Sequence, residues 1–269
     1  MKRASWTACA LTLGNLLCGF AAIVLGVRGY AHLDYFHLVP VEVVQGAWFL
    51  LLGMFLDGLD GRVARMTKAD SAFGAELDSL ADVVSFGLAP AVLTWVVGMR
   101  AEQPESVLWA AGSLYAASAA LRLARYNVQH ALPRRAHEKK PADFEGLPSP
   151  AAAGLVAGLL LLAGEAEEPQ VQKHLLLLLP AFAVAGGLLM VSRVPYLHVM
   201  NRLGRRGLAP VKGVAALGLL AALASYPALT LAIAFTGYAL AGLAWGALSQ
   251  ILPRPEPEED WADERSPRR

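Results

Sequence analysis

Eight apolar stretches, most of them close to 20 residues long, recur along the chain at roughly 8–27, 44–66, 74–98, 106–129, 148–164, 174–192, 211–226 and 228–250. About 20 apolar residues in a helix cross a hydrocarbon layer of roughly 30 Å. The breaks carry loop signals: Pro40, Gln103-Pro104, the polar run from Pro133 to Glu145, Glu165 to Gln172, and Arg193 to Pro210. The last two stretches are parted only by a turn around Ser225, Tyr226 and Pro227. Charged residues make up 17% of the chain, against about a quarter in soluble domains. The expected class is therefore an all-α polytopic membrane protein. The apolar run from about Ala8 to Val27 is too long for a signal-peptide core and contains Asn15, so it is expected to remain as the first membrane helix. Cys9 and Cys18 fall inside it and are read as packing residues, with no disulfide or metal role. No internal repeat is evident. The tail from Pro253 to Arg269 is Pro-rich and highly charged, which predicts disorder.

A net charge of +1 conceals a sharp asymmetry. When alternate connections are assigned to opposite sides, one side collects Lys2, Arg3, Arg62, Arg65, Lys68, Arg122, Arg125, Arg134, Arg135, Lys139, Lys140, Arg193, Arg202, Arg205, Arg206, Lys212 and the four arginines of the tail. The other side holds only Arg28, Arg100 and Lys173. Basic residues mark the cytoplasmic side, so both termini are predicted inside, in the inner membrane of the cell. That requires an even number of spans, six or eight, and the two stretches after Pro210 favour eight. The basic loops serve topology and attraction to anionic headgroups, and nothing in them points to nucleic acid.

Chemistry concentrates in LDGLDGRVARMTKADSAFGAELDSLAD, from Leu56 to Asp82. Asp57 and Asp60 are three apart and Asp78 and Asp82 four apart, so each pair shares one helical face. A tight turn between Thr67 and Phe73 would make the two helices antiparallel neighbours and bring four carboxylates together near the cytoplasmic boundary. One Asp at a helix centre costs near +3 kcal/mol on translocon scales, and four would also repel one another. One or two could pair structurally with Arg62 and Arg65; four on facing stripes ask for divalent cations, and hard oxygen ligands suit Mg²⁺, Mn²⁺ or Ca²⁺. Gly61 and Ala64 lie on the aspartate face and Gly74 one turn before Asp78, leaving room for a diphosphate, which Arg65 can contact.

The pattern Asp57-x-x-Asp60-Gly61-x-x-Ala64-Arg65, eight residues, Gly74-x-x-x-Asp78-x-x-x-Asp82 resembles the signature of the CDP-alcohol phosphotransferases, matching at every position. The resemblance implies a homodimeric membrane enzyme with a six-helix core, expected over 1–210, and two divalent ions, Mg²⁺ or Mn²⁺. Residues 211–250 would add two further helices and 251–269 a disordered cytoplasmic tail. It also implies that Asp57, Asp60 and Asp78 bind metal. Asp82 is implied as the general base, with a possible contact to the second metal. Gly61, Ala64, Arg65 and Gly74 would line the CDP site with Asp57, and Asn15 is a further candidate there.

The signature leaves the acceptor alcohol open. Thr12 to Gly19, Asp78 to Gly87, Leu121 to Asn127 and Gly146 to Gly154 are similar to the bacterial and archaeal phosphatidylserine synthases of this family. That likeness implies CDP-diacylglycerol and L-serine as substrates. Arg122 and Arg125, three apart, suit a serine carboxylate, and Asn127 and Ser85 are polar groups able to orient it. Glycerol 3-phosphate or an inositol phosphate stays open as acceptor. A divalent-cation transporter would use the aspartates but leaves Gly61, Ala64, Arg65 and Gly74 without a purpose.

Overall fold

The computed structural model describes residues 3–31, 38–67, 72–131, 144–196 and 209–251. The charged tail and Lys2, Lys68, Arg134, Arg135, Lys139, Lys140, Arg202, Arg205 and Arg206 lie outside the described residues. So does most of the predicted turn between Thr67 and Phe73.

Among the described residues, eight helices stand where the eight apolar stretches are: α1 (Arg3–Ala31), α2 (Val41–Thr67), α3 (Ala72–Arg100), α4 (Glu105–Ala131), α5 (Ser149–Glu165), α6 (Pro169–Val191), α7 (Ala209–Ser225) and α8 (Pro227–Ile251). Prolines open α5 and α6 within their first two positions, where a missing N–H costs nothing. Six helices, α1 to α4, α6 and α8, are long and apolar enough to cross a membrane. The remaining two, α5 and α7, have 17 residues each and rise about 25 Å. For α5 the reason is visible in its packing. It lies against α2, α6 and α8, and every residue from Ala152 to Leu161 is buried. A helix enclosed by protein need not match the thickness of the lipid, and its all-round apolarity reflects that enclosure.

The first helix packs along α2 and also against α3, while α4 packs on α6. The core between them is filled by Leu50, Leu93, Val97, Tyr115, Leu155, Leu160 and Leu179. Helix α3 is interrupted by a π-helical turn, Val83–Leu88, that begins one residue after Asp82. That turn docks onto α1: the Ser85 hydroxyl donates to the Asn15 carbonyl at 2.8 Å, and a Cβ on Gly19 would lie 2.6 Å from the Ser85 Cα. The wider turn shifts the helical register, so the face carrying Asp78 and Asp82 and the face carrying Leu93 and Val97 are set independently.

At the end of the bundle that holds the aspartates, Phe144–Glu145 pairs antiparallel with Pro195–Tyr196. Gly146 follows with φ of 86° and donates its N–H to the Val194 carbonyl at 2.9 Å. A side chain there would meet both an unfavourable φ and the Met190 carbonyl oxygen. Helix α7 packs on α8, and its residues 217–225 are exposed all round.

The Gly19 contact makes a test. Gly19→Val should push α1 from the π-turn, cost about 1–3 kcal/mol as an overpacked contact and lower the thermal midpoint of the detergent-purified protein. An unchanged midpoint would mean that the two backbones do not approach this closely.

Candidate active site and metal centre

Three of the four aspartates, Asp57, Asp60 and Asp78, come together between α2 and α3, and α1 holds Asp60 of that group together with Asp82. Thr12, one turn after Ala8, uses its hydroxyl to bridge the Ala8 carbonyl at 3.1 Å and the Asp60 carboxylate at 2.8 Å. Asn15, three residues on and so on the same face of α1, donates its amide to Asp82 Oδ1 at 3.1 Å. One helix thus grips a carboxylate on α2 and another on α3. Asp60 and Asp82 are buried, at 5% and 8% exposure, and Thr12 and Asn15 at 4% and 0%.

Carboxylate oxygens of Asp57, Asp60 and Asp78 lie within 4.8 Å of one another. Asp82 stands outside that group and shares with Asp57 and Asp78 the wall of a cavity of about 200 Å³. Ser79, Arg122, Leu123, Tyr126, Ser149 and Pro150 complete the lining. Arg122 is 9% exposed, donates to the Ser149 hydroxyl at 3.0 Å, and leaves its Nε buried without a hydrogen-bond partner. The cavity therefore has a carboxylate wall from α2 and α3 and a cationic wall from α4, with the start of α5 behind it.

The donor set fits a divalent cation. All three close groups are hard oxygen ligands of the kind that Mg²⁺ and Mn²⁺ prefer. Asp78 Oδ1 is buried with no hydrogen-bond partner among the described residues, an arrangement that is costly unless something else satisfies it. Among the described residues nothing lies within 4 Å of where a Gly61 Cβ would stand, which leaves this face of α2 open to them. Gly74 is half-buried in the first turn of α3. The side chains of Ala64 and Arg65 lie outside the described residues.

Other residues singled out from the sequence have hydrogen-bond partners within the protein. Arg125 reaches the last carbonyls of α6, Val191 at 3.1 Å and Met190 at 3.5 Å, a favourable place for a cation at a helix C-terminus. Asn127 accepts from the Ser79 hydroxyl at 2.9 Å and donates to Glu76 at 3.4 Å, tying α4 to α3. The Asn15 amide is taken up by Asp82 and the Ser85 hydroxyl by Asn15. Of Arg122, Arg125, Asn127 and Ser85, the cavity is lined only by Arg122. Thr12, Ser79, Tyr126 and Ser149 belong to the site without having been assigned to it from sequence. The available signal was for Thr12, a polar residue one turn before Asn15 in an apolar helix.

Comparison with known proteins follows this geometry. The family model for the CDP-alcohol phosphatidyltransferase domain matches residues 5–194. A Helicobacter pylori protein named CDP-diacylglycerol–serine O-phosphatidyltransferase is 38% identical over 165 residues, 61% of this chain and 65% of that relative. The Saccharomyces cerevisiae protein of the same name is 41% identical over 152 residues, 55% of this chain and 51% of the relative. A Mycobacterium tuberculosis protein, again of that name, is 49% identical over 110 residues, 40% and 36% of the two chains. The chain thus spans less than two thirds of the length of each of these relatives.

Thr12 gives the site a readout other than turnover. Removing its hydroxyl in Thr12→Val should weaken Mn²⁺ binding about ten- to a hundredfold, as loss of a ligand's supporting hydrogen bond does. Electron paramagnetic resonance of free Mn²⁺ measures this directly, and wild-type affinity in the variant would show that Asp60 needs no support from α1.

Proposed function

The chain belongs to the CDP-alcohol phosphatidyltransferase family, and from that premise we propose that it transfers the phosphatidyl group of CDP-diacylglycerol to L-serine, giving phosphatidylserine and CMP. The observation that carries the reading is the two-sided cavity, where Asp57, Asp78 and Asp82 face a buried guanidinium and Asp60 joins Asp57 and Asp78 in a carboxylate cluster. The shared name of the relatives supports serine as acceptor.

Asp57, Asp60 and Asp78 would hold Mg²⁺ or Mn²⁺, two ions in the family pattern. When bound, such ions neutralise a diphosphate and stabilise charge on the CMP leaving group. The open face beside Gly61 admits the nucleotide diphosphate, with Ala64, Arg65 and Gly74 along the same approach, while the acyl chains stay in the bilayer. Arg122, held by Ser149, offers its guanidinium to the serine carboxylate. Asp82, fixed by the Asn15 amide, accepts the proton of the serine hydroxyl. The hydroxyl oxygen bonds to the phosphorus that carries diacylglycerol, and the bond from that phosphorus to CMP breaks. Positioning and electrostatics supply most of the acceleration, as in phosphoryl transfer generally.

Basic residues at the cavity end, Arg62, Arg122, Arg125 and Arg193, against Arg28, Arg100 and Lys173 at the other, support an inner-membrane enzyme with its site and both termini facing the cytoplasm. Residues 1–210 act as the catalytic core, residues 211–250 as two added helices, residues 251–269 as a charged cytoplasmic tail, and the working unit is a homodimer.

The deciding assay is CMP release from CDP-diacylglycerol by the purified protein, comparing serine, glycerol 3-phosphate and inositol phosphate with and without Mg²⁺ or Mn²⁺. Metal-dependent release with serine alone is expected; release with another acceptor would overturn the acceptor, and none at all would overturn the enzyme. Asp82→Asn should lower kcat by about 10²- to 10⁴-fold, the range for a general base, while CDP-diacylglycerol still binds. Retained turnover would remove Asp82 from that role.

A further inference from the structure

Helix α8 lies beyond the family domain, which ends at residue 194, yet it packs against the elements that hold the acceptor wall. It runs along α5 through two glycines. A Cβ on Gly154 would meet the Phe235 ring, and one on Gly158 would stand 2.9 Å from the Ala232 Cα. At the cavity end, the Tyr196 hydroxyl donates to the Ala239 carbonyl at 3.3 Å. The Tyr196 and Tyr238 rings are 5.6 Å apart, and Gly242 is the small residue that lets the Tyr196 ring lie on α8. Tyr196 is 1% exposed.

From Tyr196 the connection to the cavity is short. Its strand pairs with Phe144–Glu145, and Gly146 and Leu147 then bond back to the Val194 and Leu189 carbonyls, each at 2.9 Å. Two residues later comes Ser149, the hydrogen-bond partner of Arg122. The Tyr238 phenol, on the ring that packs by Tyr196, also lies within weak electrostatic range of the Arg122 guanidinium. Arg122 is thus held by Ser149, and Ser149 is tied through Tyr196 to a helix that lies beyond the stretch matched by the family model.

We propose that α8 completes the acceptor side of the active site, with Tyr238 and Tyr196 as positioning residues that set the Ser149–Arg122 pair for the carboxylate of the incoming alcohol. The proposal rests on the phosphatidyl-transfer reading and assigns a part of that reaction to the C-terminal helix. The nucleotide and metal groups stand on the opposite wall, so disturbing α8 should affect the acceptor and spare the CDP-lipid.

The test uses the full-length protein in lipid nanodiscs and whichever of serine, glycerol 3-phosphate or inositol phosphate supports CMP release by the wild type. An error in the acceptor is then seen in the wild type, and an error about α8 only in the variants. Tyr238→Phe keeps the ring contact with Tyr196 and removes the phenol dipole that acts on Arg122, and Gly242→Leu drives a branched side chain into the Tyr196 ring. The expected result is a rise in acceptor KM of about tenfold in each, with a smaller change in kcat and an unchanged KM for CDP-diacylglycerol, the signature of lost acceptor binding. Tyr196→Phe, which loses only the bond to Ala239, should fall between wild type and Gly242→Leu. If Tyr238→Phe leaves the acceptor KM unaltered, or raises both KM values together, α8 is a structural strut and the proposal fails. Absence of turnover with every alcohol would remove the proposal together with the reading on which it stands.

Discussion

Carboxylates drawn together inside a helix bundle lose water and repel one another, and the arrangement of this protein is organised around those two costs. At an effective dielectric of about 20, unit charges separated by a distance like the 4.8 Å that bounds the Asp57, Asp60 and Asp78 oxygens repel by roughly 3–4 kcal/mol per pair. Hydrogen bonds from the protein offset part of this, since Thr12 serves Asp60 and Asn15 serves Asp82. The remainder is the kind of deficit that a bound divalent ion reverses, because it substitutes attraction for repulsion at the shared centre. A buried Asp78 oxygen with no donor among the described residues marks where their hydrogen bonds end.

This requirement explains why α1 packs on both α2 and α3. A helix that contributes two donors three residues apart can hold carboxylates on two neighbours only if all three approach closely. The small residue Gly19 and the π-turn that follows Asp82 provide that approach. The same logic applies at the far wall, where the Arg122 guanidinium feels the Asp82 carboxylate across the cavity and is held in place by the Ser149 hydroxyl at the head of α5. Ser149 is in turn placed by the Gly146 turn and its bonds to the end of α6. Each wall therefore depends on backbone geometry one layer away.

Arginines three apart in sequence came to different uses. Arg122 faces the cavity, while Arg125 takes the terminal carbonyls of α6. In sequence both suit a carboxylate equally, because a guanidinium satisfies a substrate oxygen and a helix-end carbonyl by the same donors. Asn127, Ser85 and Asn15 share this ambiguity: a polar side chain in an apolar helix signals a partner, not which one. Their partners proved to be Ser79 and Glu76, the Asn15 carbonyl, and Asp82.

What the sequence determined by itself is the set of properties that depend on local chemistry. Eight helices follow from apolar length, the turns from proline and polar breaks, and the shared faces of the aspartates from helical period. The carboxylate cluster and the family follow from the fixed spacing between Asp57 and Asp82. Tertiary structure decided what depends on neighbours distant in sequence. It enclosed α5, so that 17 residues suffice, and it opened a π-turn beside Asp82. It placed Asp82 outside the three-carboxylate group and laid α8 against α5 and Tyr196. Helical period carries no information about which helix lies across a groove, because packing partners are chosen by shape and hydrogen bonding over the whole bundle.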